Sequence, residues 1–407
     1  MKIKCVKGTR DYLPEEAELR EEMQNKIFEV YRKNGFSRVM TPAVEDAENL
    51  DKSDGGDNLN LIFKILKRGE KLAKSLESGG ELCDLGLRYD LTLPLTRYFA
   101  ANRQSLSFPF KAVQIDKVYR AENPQKGRLR EFMQCDIDVI GDPEPECETE
   151  LIAVTAKALE ALEIGEFTVR VNDRQVLNAM LKSCGFGEDI LASVCVSFDK
   201  LDKIGVEGVV AELREKGFDN SAVDKFEGIL RRLPLDIDKM RGIVGDEDIS
   251  RLARIIEQSE AIANGRYKIV FDASLVRGQG YYTGTVFEVR SEKFGSSIAG
   301  GGRYDKLIGK FLGEDIPACG FSIGFERIFS ILCDMKKTAG KRKKIAVLYE
   351  DSFAEAYKKA EELREEYDTA LFKKPKKMKA FLDRLQNSGY VGFAYEDGNI
   401  HSFSDCR

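Results

Sequence analysis

Three arginine-bearing segments, far apart in the chain, carry the residue types best suited to chemistry. They are Val118 to Phe132, Leu275 to Gly284, and Gly320 to Arg327. Each sets an arginine among apolar, strand-like or glycine-rich neighbours. A guanidinium there is costly unless it meets an anion, and a phosphate accepts two of its N–H bonds at once. Three converging arginines would suit a triphosphate. In the first segment, two strands joined by a glycine-containing loop would bring Arg120 and Phe132 to one ligand. The arginine would grip a phosphate and the phenylalanine would offer a flat face to a purine ring. Taken singly, such a pair also fits an edge ion pair beside a core side chain. Likewise Tyr281 and Tyr282 alone fit an ordinary strand pair with one ring facing the core.

Composition limits what these residues can do. The sole histidine is His401, near the end of the 407 residues. An imidazole base or histidine-ligated metal in the main body is thereby excluded, and catalysis falls to arginines, carboxylates, tyrosines and the substrate's own groups. Nine cysteines, with no Cys-x-x-Cys pair, fit scattered thiols better than a disulfide framework or zinc site. The absence of any run of about 18 uncharged apolar residues argues against a membrane span. An amino terminus without an apolar signal core implies a cytoplasmic protein. A net charge of −5 argues against indiscriminate nucleic-acid binding. Local basic clusters at 336–344 and 373–379 could still meet a nucleic acid, or could be solvated surface.

The elements that must position these residues follow from pattern. A helix is expected over Glu15–Lys33, entered at Pro14 and stopped by Gly35. A strand is expected over Ile62–Leu66, and antiparallel strands or strand–helix junctions over Leu85–Tyr98, Pro109–Arg120 and Glu131–Ile140. Lys67–Asp84 reads as a charged surface excursion. A helix over Glu148–Leu162 and a strand over Glu166–Asn172 precede an almost wholly helical stretch, about 173–265, taken as an insertion. Strands return at Tyr267–Phe271 and Thr285–Arg290. Gly300-Gly301-Gly302-Arg303-Tyr304-Asp305 reads as a tight glycine turn, and Gly320–Cys333 as a strand running into a helix. After a basic linker at 336–344, residues 345–407 alternate strand and helix as a small α/β domain.

The order of the motifs resembles the class II aminoacyl-tRNA synthetases. Gly35 to Glu45 is similar to their motif 1, the dimer-forming element. Tyr119-Arg120-Ala121-Glu122 followed by Arg128 and Phe132 is similar to motif 2, and Gly320–Arg327 to motif 3. Further segments resemble the histidyl-tRNA synthetase family: Lys7–Pro14, Leu87–Thr92, Gln134–Asp138, Leu275–Gly284 and Ala299–Asp305. The resemblance implies an α+β fold, an antiparallel sheet flanked by helices, over a catalytic core at 1–335. It reads 345–407 as a truncated anticodon-binding domain. It implies ATP-dependent activation of L-histidine and transfer to tRNA(His), with Mg²⁺ on the nucleotide and a homodimer as the assembly.

Residue by residue, the resemblance assigns ATP to Arg120, Glu122, Arg128, Phe132 and Arg327. Arg120 takes the α-phosphate, with Arg128 and Arg327 toward the γ-phosphate. It assigns histidine to Asp90, Thr92, Gln134, Asp138, Arg277, Tyr281 and Tyr282, with Asp138 and Tyr281 on the two imidazole nitrogens. Arg120 and Arg277 are its catalytic residues; no metal ligand is assigned. Three departures stand out. Gly280 replaces a usual aspartate, Asn123 stands where bacterial members often carry arginine, and the last domain is short. Two alternatives stay open: a histidine-sensing regulatory paralogue like that of ATP phosphoribosyltransferase, and an adenylate-forming enzyme with a non-tRNA acceptor.

Overall fold

The computed structural model describes residues 3–52, 61–124, 128–276, 282–337, 342–396 and 399–403. The chain divides into two compact units, 1–337 and 338–407.

The first unit opens with α1 (Pro14–Lys33), whose acidic first turn and basic last turn complement the helix dipole. Leu19, Met23, Ile27 and Tyr31 form its buried stripe, spaced as a helix requires, and Gly35 turns the chain at φ +86°. There follow β1 (Ser37–Arg38), β2 (Val44–Asp46), α2 (Ala47–Leu50), β3 (Phe63–Leu66), α3 (Glu70–Ser78), β4 (Cys83–Leu87) and α4 (Thr92–Asn102). The charged segment at 67–84 is thus partly helical, although α3 buries only Ser75. Next come β5 (Phe110–Tyr119), β6 (Glu131–Ile140), α5 (Pro145–Ala161) and β7 (Phe167–Asp173).

The helical stretch is α6 (Arg174–Cys184), α7 (Leu191–Phe198), α8 (Leu201–Glu215), α9 (Asn220–Leu230), α10 (Ile237–Val244) and α11 (Asp246–Ala263). Its apolar residues, Val194, Phe226 and Ile255 among them, belong to the same core as Ile137 and Phe321 of the sheet. The unit closes with β8 (Lys268–Phe271), β9 (Thr285–Ser291), β10 (Ser297–Arg303), α12 (Asp305–Leu312), β11 (Ala318–Gly324) and α13 (Phe325–Asp334).

Among the described residues these strands build an eight-stranded sheet in the order β1-β5-β6-β11-β10-β9-β7-β8. Only the outer pairs β1–β5 and β7–β8 are parallel; the interior is antiparallel. A smaller sheet, β2-β4-β3, lies in the same unit.

One expectation fails at the centre of this sheet. Gly300–Gly302 is no turn: it lies inside β10, hydrogen-bonded between β9 and β11. None of the three glycines has positive φ, so no turn geometry calls for them. Close approach does. A Cβ on Gly301 would sit 2.0 Å from the Gly320 carbonyl oxygen. The glycines thin the sheet where it floors a cavity.

The second unit holds β12 (Lys344–Tyr349), α14 (Phe353–Leu363), β13 (Asp368–Lys373), α15 (Met378–Asn387), β14 (Tyr390–Ala394) and β15 (Ile400–Ser402). Its sheet runs β13-β12-β14-β15, with β12 parallel to both neighbours and β15 antiparallel. Alternation along β12 sends Ala346 and Leu348 to one apolar cluster and Val347 to another.

Candidate active site

Strand β6 is the backbone of the site. Its period of two turns Cys135, Ile137 and Val139 into the main core. Gln134, Asp136 and Asp138 point the other way, into a cavity of about 430 Å³. Tyr89, Asp90, Thr92, Tyr282 and Tyr304 close its sides, and Gly301 and Gly320 leave its floor free of side chains.

Acceptors dominate this cavity. Asp90 lies in the turn before α4 and accepts the Leu93 amide at 3.2 Å. Burial pushes its pKa up to about 6, against the Leu93 bond and the Arg120 charge. Asp138 accepts the Tyr304 hydroxyl on Oδ1 at 2.6 Å, while its buried Oδ2 has no partner among the described residues. Burial raises its pKa to about 7; the Tyr304 bond works the other way and the Asp90 charge adds to the rise. Gln134 donates to the Ser322 hydroxyl at 3.1 Å, and its own carbonyl oxygen is buried without a partner among the described residues. Burial, with Cys319 and the neighbouring carboxyls, holds the Tyr282 phenol well above its ordinary range. A cavity lined by buried acceptors suits a small molecule rich in N–H groups.

A second cavity, of about 340 Å³, adjoins the first and shares Arg120, Gln134, Gly300 and Ser322 with it. Arg120 follows the end of β5, anchored by its Nε–H to the Tyr89 carbonyl at 3.0 Å. Its guanidinium lies 5.0 Å from the centre of the Phe132 ring, across the β5–β6 ladder. Glu122, Arg128, Phe132 and Arg327 line the same space. Arg327 enters from the first turn of α13 and donates to the Ser297 carbonyl. Its neighbour Glu326 is clamped by Arg20 at 2.6 and 2.8 Å, by the Tyr12 hydroxyl at 3.2 Å and by the Met133 amide at 3.1 Å. That buried clamp ties α1 to α13 and fixes where Arg327 begins.

The structure therefore gathers Asp90, Thr92, Gln134, Asp138 and Tyr282 around one cavity. It gathers Arg120, Glu122, Arg128, Phe132 and Arg327 around the other. Arg277 and Tyr281, expected beside them, lie outside the described residues. Sequence reasoning missed Tyr304, Asp136 and Ser322. Tyr304 stands in the glycine-rich segment read as a turn, and Asp136 lies between two expected residues at period two. That alternation was the available signal. Behind Tyr304, Arg303 and Glu148 form a buried bidentate pair at 2.7 and 2.6 Å, supported by the Thr285 hydroxyl at 3.2 Å. No group of three or more potential metal ligands occurs among the described residues.

An antiparallel sheet carrying an arginine-lined cavity beside an acidic one is the catalytic core of a class II synthetase. The sequence family described as histidyl-tRNA synthetase matches residues 8–328. The histidine–tRNA ligase of Leifsonia xyli subsp. xyli is 41% identical, over 97% of this chain and 95% of that protein. The histidyl-tRNA synthetase crystal structure from Nostoc sp. PCC 7120 superposes with a TM-score of 0.80 at 27% identity, covering 97% and 91% of the two chains. A Bacillus halodurans structure titled as an ATP phosphoribosyltransferase regulatory subunit/histidyl-tRNA synthetase shares the fold, with a TM-score of 0.80 at 23% identity over 97% and 98%. This chain belongs to the histidyl-tRNA synthetase family.

Proposed function

We propose that the chain is a histidine–tRNA ligase, which joins L-histidine to ATP as histidyl-adenylate and passes the histidyl group to tRNA(His). The observation that carries this reading is the junction of two unlike cavities at Arg120 and Gln134. One offers acceptors to an amino acid, the other donors to a nucleotide.

On this reading Asp90 and Thr92 take the substrate ammonium, with Gln134 beside it. Asp138 and Tyr281 read the two ring nitrogens, with Tyr282 alongside. Phe132 stacks on the adenine, Arg120 holds the α-phosphate, and Arg128 and Arg327 hold the γ-phosphate. The histidine carboxylate attacks the α-phosphorus and pyrophosphate leaves. A carboxylate is ionised at neutral pH, so the step needs no protein base. Charge grows on the α-phosphate oxygens, where Arg120 and Arg277 act by fixed electrostatic stabilisation. The terminal ribose hydroxyl of the tRNA then attacks the adenylate.

Mg²⁺ suits the oxygen donors of the nucleotide cavity. Its carboxylates, among the described residues, are Glu122 and Glu326. Among the described residues Glu326 is committed to Arg20, whereas Glu122 has Arg128 at 3.8 Å, so Glu122 would be the residue to hold the ion. Bound there, the ion would supply charge neutralisation to the nucleotide phosphates. The family resemblance further supports a homodimer through the motif 1 segment, a catalytic core at 1–335 with its insertion at about 173–265, and a shortened anticodon-binding domain at 345–407. Action in the cytoplasm accompanies this reading; no described helix is long and apolar enough to cross a membrane.

A regulatory paralogue would not need the arginine cavity, which is complete here in Arg120, Glu122, Arg128, Phe132 and Arg327. Histidine-dependent ATP–pyrophosphate exchange, with other amino acids as controls, separates the readings. Exchange with histidine alone is expected. Folded protein that binds histidine without exchange would move the assignment to the regulatory class, and a charging assay tests the tRNA acceptor. Arg277→Ala is expected to leave folding intact and lower single-turnover activation by roughly 10²- to 10³-fold.

A further inference from the structure

The segment Lys7–Pro14 leads into α1, and among the described residues it contributes none to the lining of either cavity. Most of it is exposed. Two of its residues nonetheless grip groups directly adjoining the nucleotide cavity, one on each wall.

The first is Gly8, whose carbonyl accepts the Arg130 amide at 2.7 Å. Arg130 in turn gives its own carbonyl to the Arg120 amide at 2.8 Å, and its Nε–H to the Glu122 carbonyl at 3.1 Å. It thereby holds the backbone of both Arg120 and Glu122, beside Arg128. Gly8 stands at φ +89°, and a Cβ there would fall 2.7 Å from Arg130 Cγ and 2.9 Å from Cδ. A glycine lets the chain turn while the arginine stem lies over it. Thr9 fixes that turn, donating its hydroxyl and its amide to the Val6 carbonyl at 2.8 and 2.9 Å.

The second is Tyr12. Its hydroxyl donates to Glu326 Oε2 at 3.2 Å, and burial with the Glu326 charge pushes its pKa up to about 12, so the phenol keeps its proton. The ring meets Phe329 edge-on, 5.9 Å between centres, and lies 4.0 Å from the Arg20 guanidinium. Glu326 directly precedes Arg327 and accepts the amide of Met133, which stands between Phe132 and Gln134.

We propose that Gly8 and Tyr12 are positioning residues for nucleotide binding. The segment between them straps the wall of Arg120, Glu122 and Arg128 to the wall of Arg327. This rests on the nucleotide reading of the second cavity given above. Gly8 and Tyr12 are four positions apart, so the link spans at most about 14 Å of extended chain. It is tied down at α1, where the Leu13 amide donates to the Glu16 carboxylate at 3.2 Å and Arg10 pairs with the same group. The strap fixes where the arginines are rooted and leaves their tips free, as the mostly exposed Arg128 shows. Donors rooted on two separate segments must meet one triphosphate, and a misplacement of about 1 Å can cost a factor of about 10².

The test uses full-length Gly8→Ala, Arg130→Ala, their double variant and Tyr12→Phe. Calorimetry reads ATP and histidine binding, and pyrophosphate exchange reads KM. Gly8→Ala is expected to weaken ATP binding and raise KM for ATP about tenfold, with histidine affinity unchanged. Tyr12→Phe, which loses one hydrogen bond and adds no bulk, should do the same by about threefold, and it carries the test if Gly8→Ala lowers Tm. A strap acting through Arg130 makes the losses overlap, so the double variant should bind ATP about as well as Arg130→Ala alone. Fully additive losses would overturn the proposal, as would equal weakening of both ligands in step with Tm. Parental ATP affinity in both Gly8→Ala and Tyr12→Phe would overturn it too. If the parent shows no histidine-dependent exchange, the ligase reading fails by itself and ATP calorimetry still decides the strap. If the parent binds no ATP, the nucleotide reading falls and takes this inference with it.

Discussion

The two cavities share Arg120 and Gln134 yet are built on opposite principles. The amino-acid cavity presents acceptors from the middle of the sheet, and its key carboxyls are almost sealed: Asp138 is 2% exposed and Asp136 4%. Their backbone is held on both sides by neighbouring strands. The nucleotide cavity presents donors from element ends. Arg128 is 54% exposed, with its nearest acid 3.8 Å away.

On the proposed reading, the contrast follows from the ligands each cavity would recognise. Telling one small amino acid from another depends on fixed, dehydrated polar groups that a wrong ligand leaves unpaired. A triphosphate carries so much charge that long arginines can close on it from loops. One side is preorganised because it must discriminate; the other can afford movement because its ligand does the organising.

Substitutions can break or sharpen this division. Arg120→Ala should have the largest effect because it strikes both sides. It is expected to lower kcat/KM by roughly 10³-fold in pyrophosphate exchange, with KM for both histidine and ATP raised. A loss confined to one substrate would show that the cavities are independent. Gly320→Ala should split them. Its added Cβ would fall 2.0 Å from Asp138 Oδ1, so the carboxyl must move. A displacement of that order is expected to lower histidine kcat/KM by about 10²-fold while KM for ATP changes little. Arg128→Ala should do the reverse and more weakly, raising KM for ATP about tenfold with histidine binding, measured by calorimetry, unchanged.

How far the sequence reveals this division depends on which physical signal each part leaves. Period-two alternation and the proline and glycine stops located β5, β6 and α1 closely. Arg120, Phe132 and Arg327 were legible because a guanidinium among apolar residues calls for an anion. The strand β10 was not legible. Three consecutive glycines signal a turn locally, and only the approach of β11 explains why a strand needs them. Tyr304 was hidden by the same misreading. The Arg20–Glu326 clamp spans 306 positions and leaves no local mark. Asp136 lies between two expected residues on one face of β6, a signal that the alternation of that strand carried.

The smallest expected signal appears with no substrate at all, and it tests whether the acidic cavity is strained when empty. The Asp138 pKa is pushed up to about 7 in the fold, from near 3.9 in an unfolded chain. Between those values the folded state holds more protons than the unfolded one, so this residue's contribution to stability falls as pH rises. It is fully present below about pH 4 and lost once pH has passed about 7. Asp138→Asn keeps the shape and an acceptor for Tyr304 but cannot ionise. Asp90 and Asp136 still titrate in both proteins, so the difference between variant and parent reports residue 138 together with its coupling to those two carboxyls. Measured without ligand from pH 5 to pH 8, the Tm of the parent should fall relative to the variant, by on the order of 5 °C. Saturating histidine should reverse most of that fall in the parent alone, because a ring N–H donated to Asp138 stabilises the ionised carboxyl. A Tm difference that stays flat with pH would mean that Asp138 is already ionised and paired in the empty protein. The discrimination attributed to unfilled acceptors would then have to come from the tyrosines.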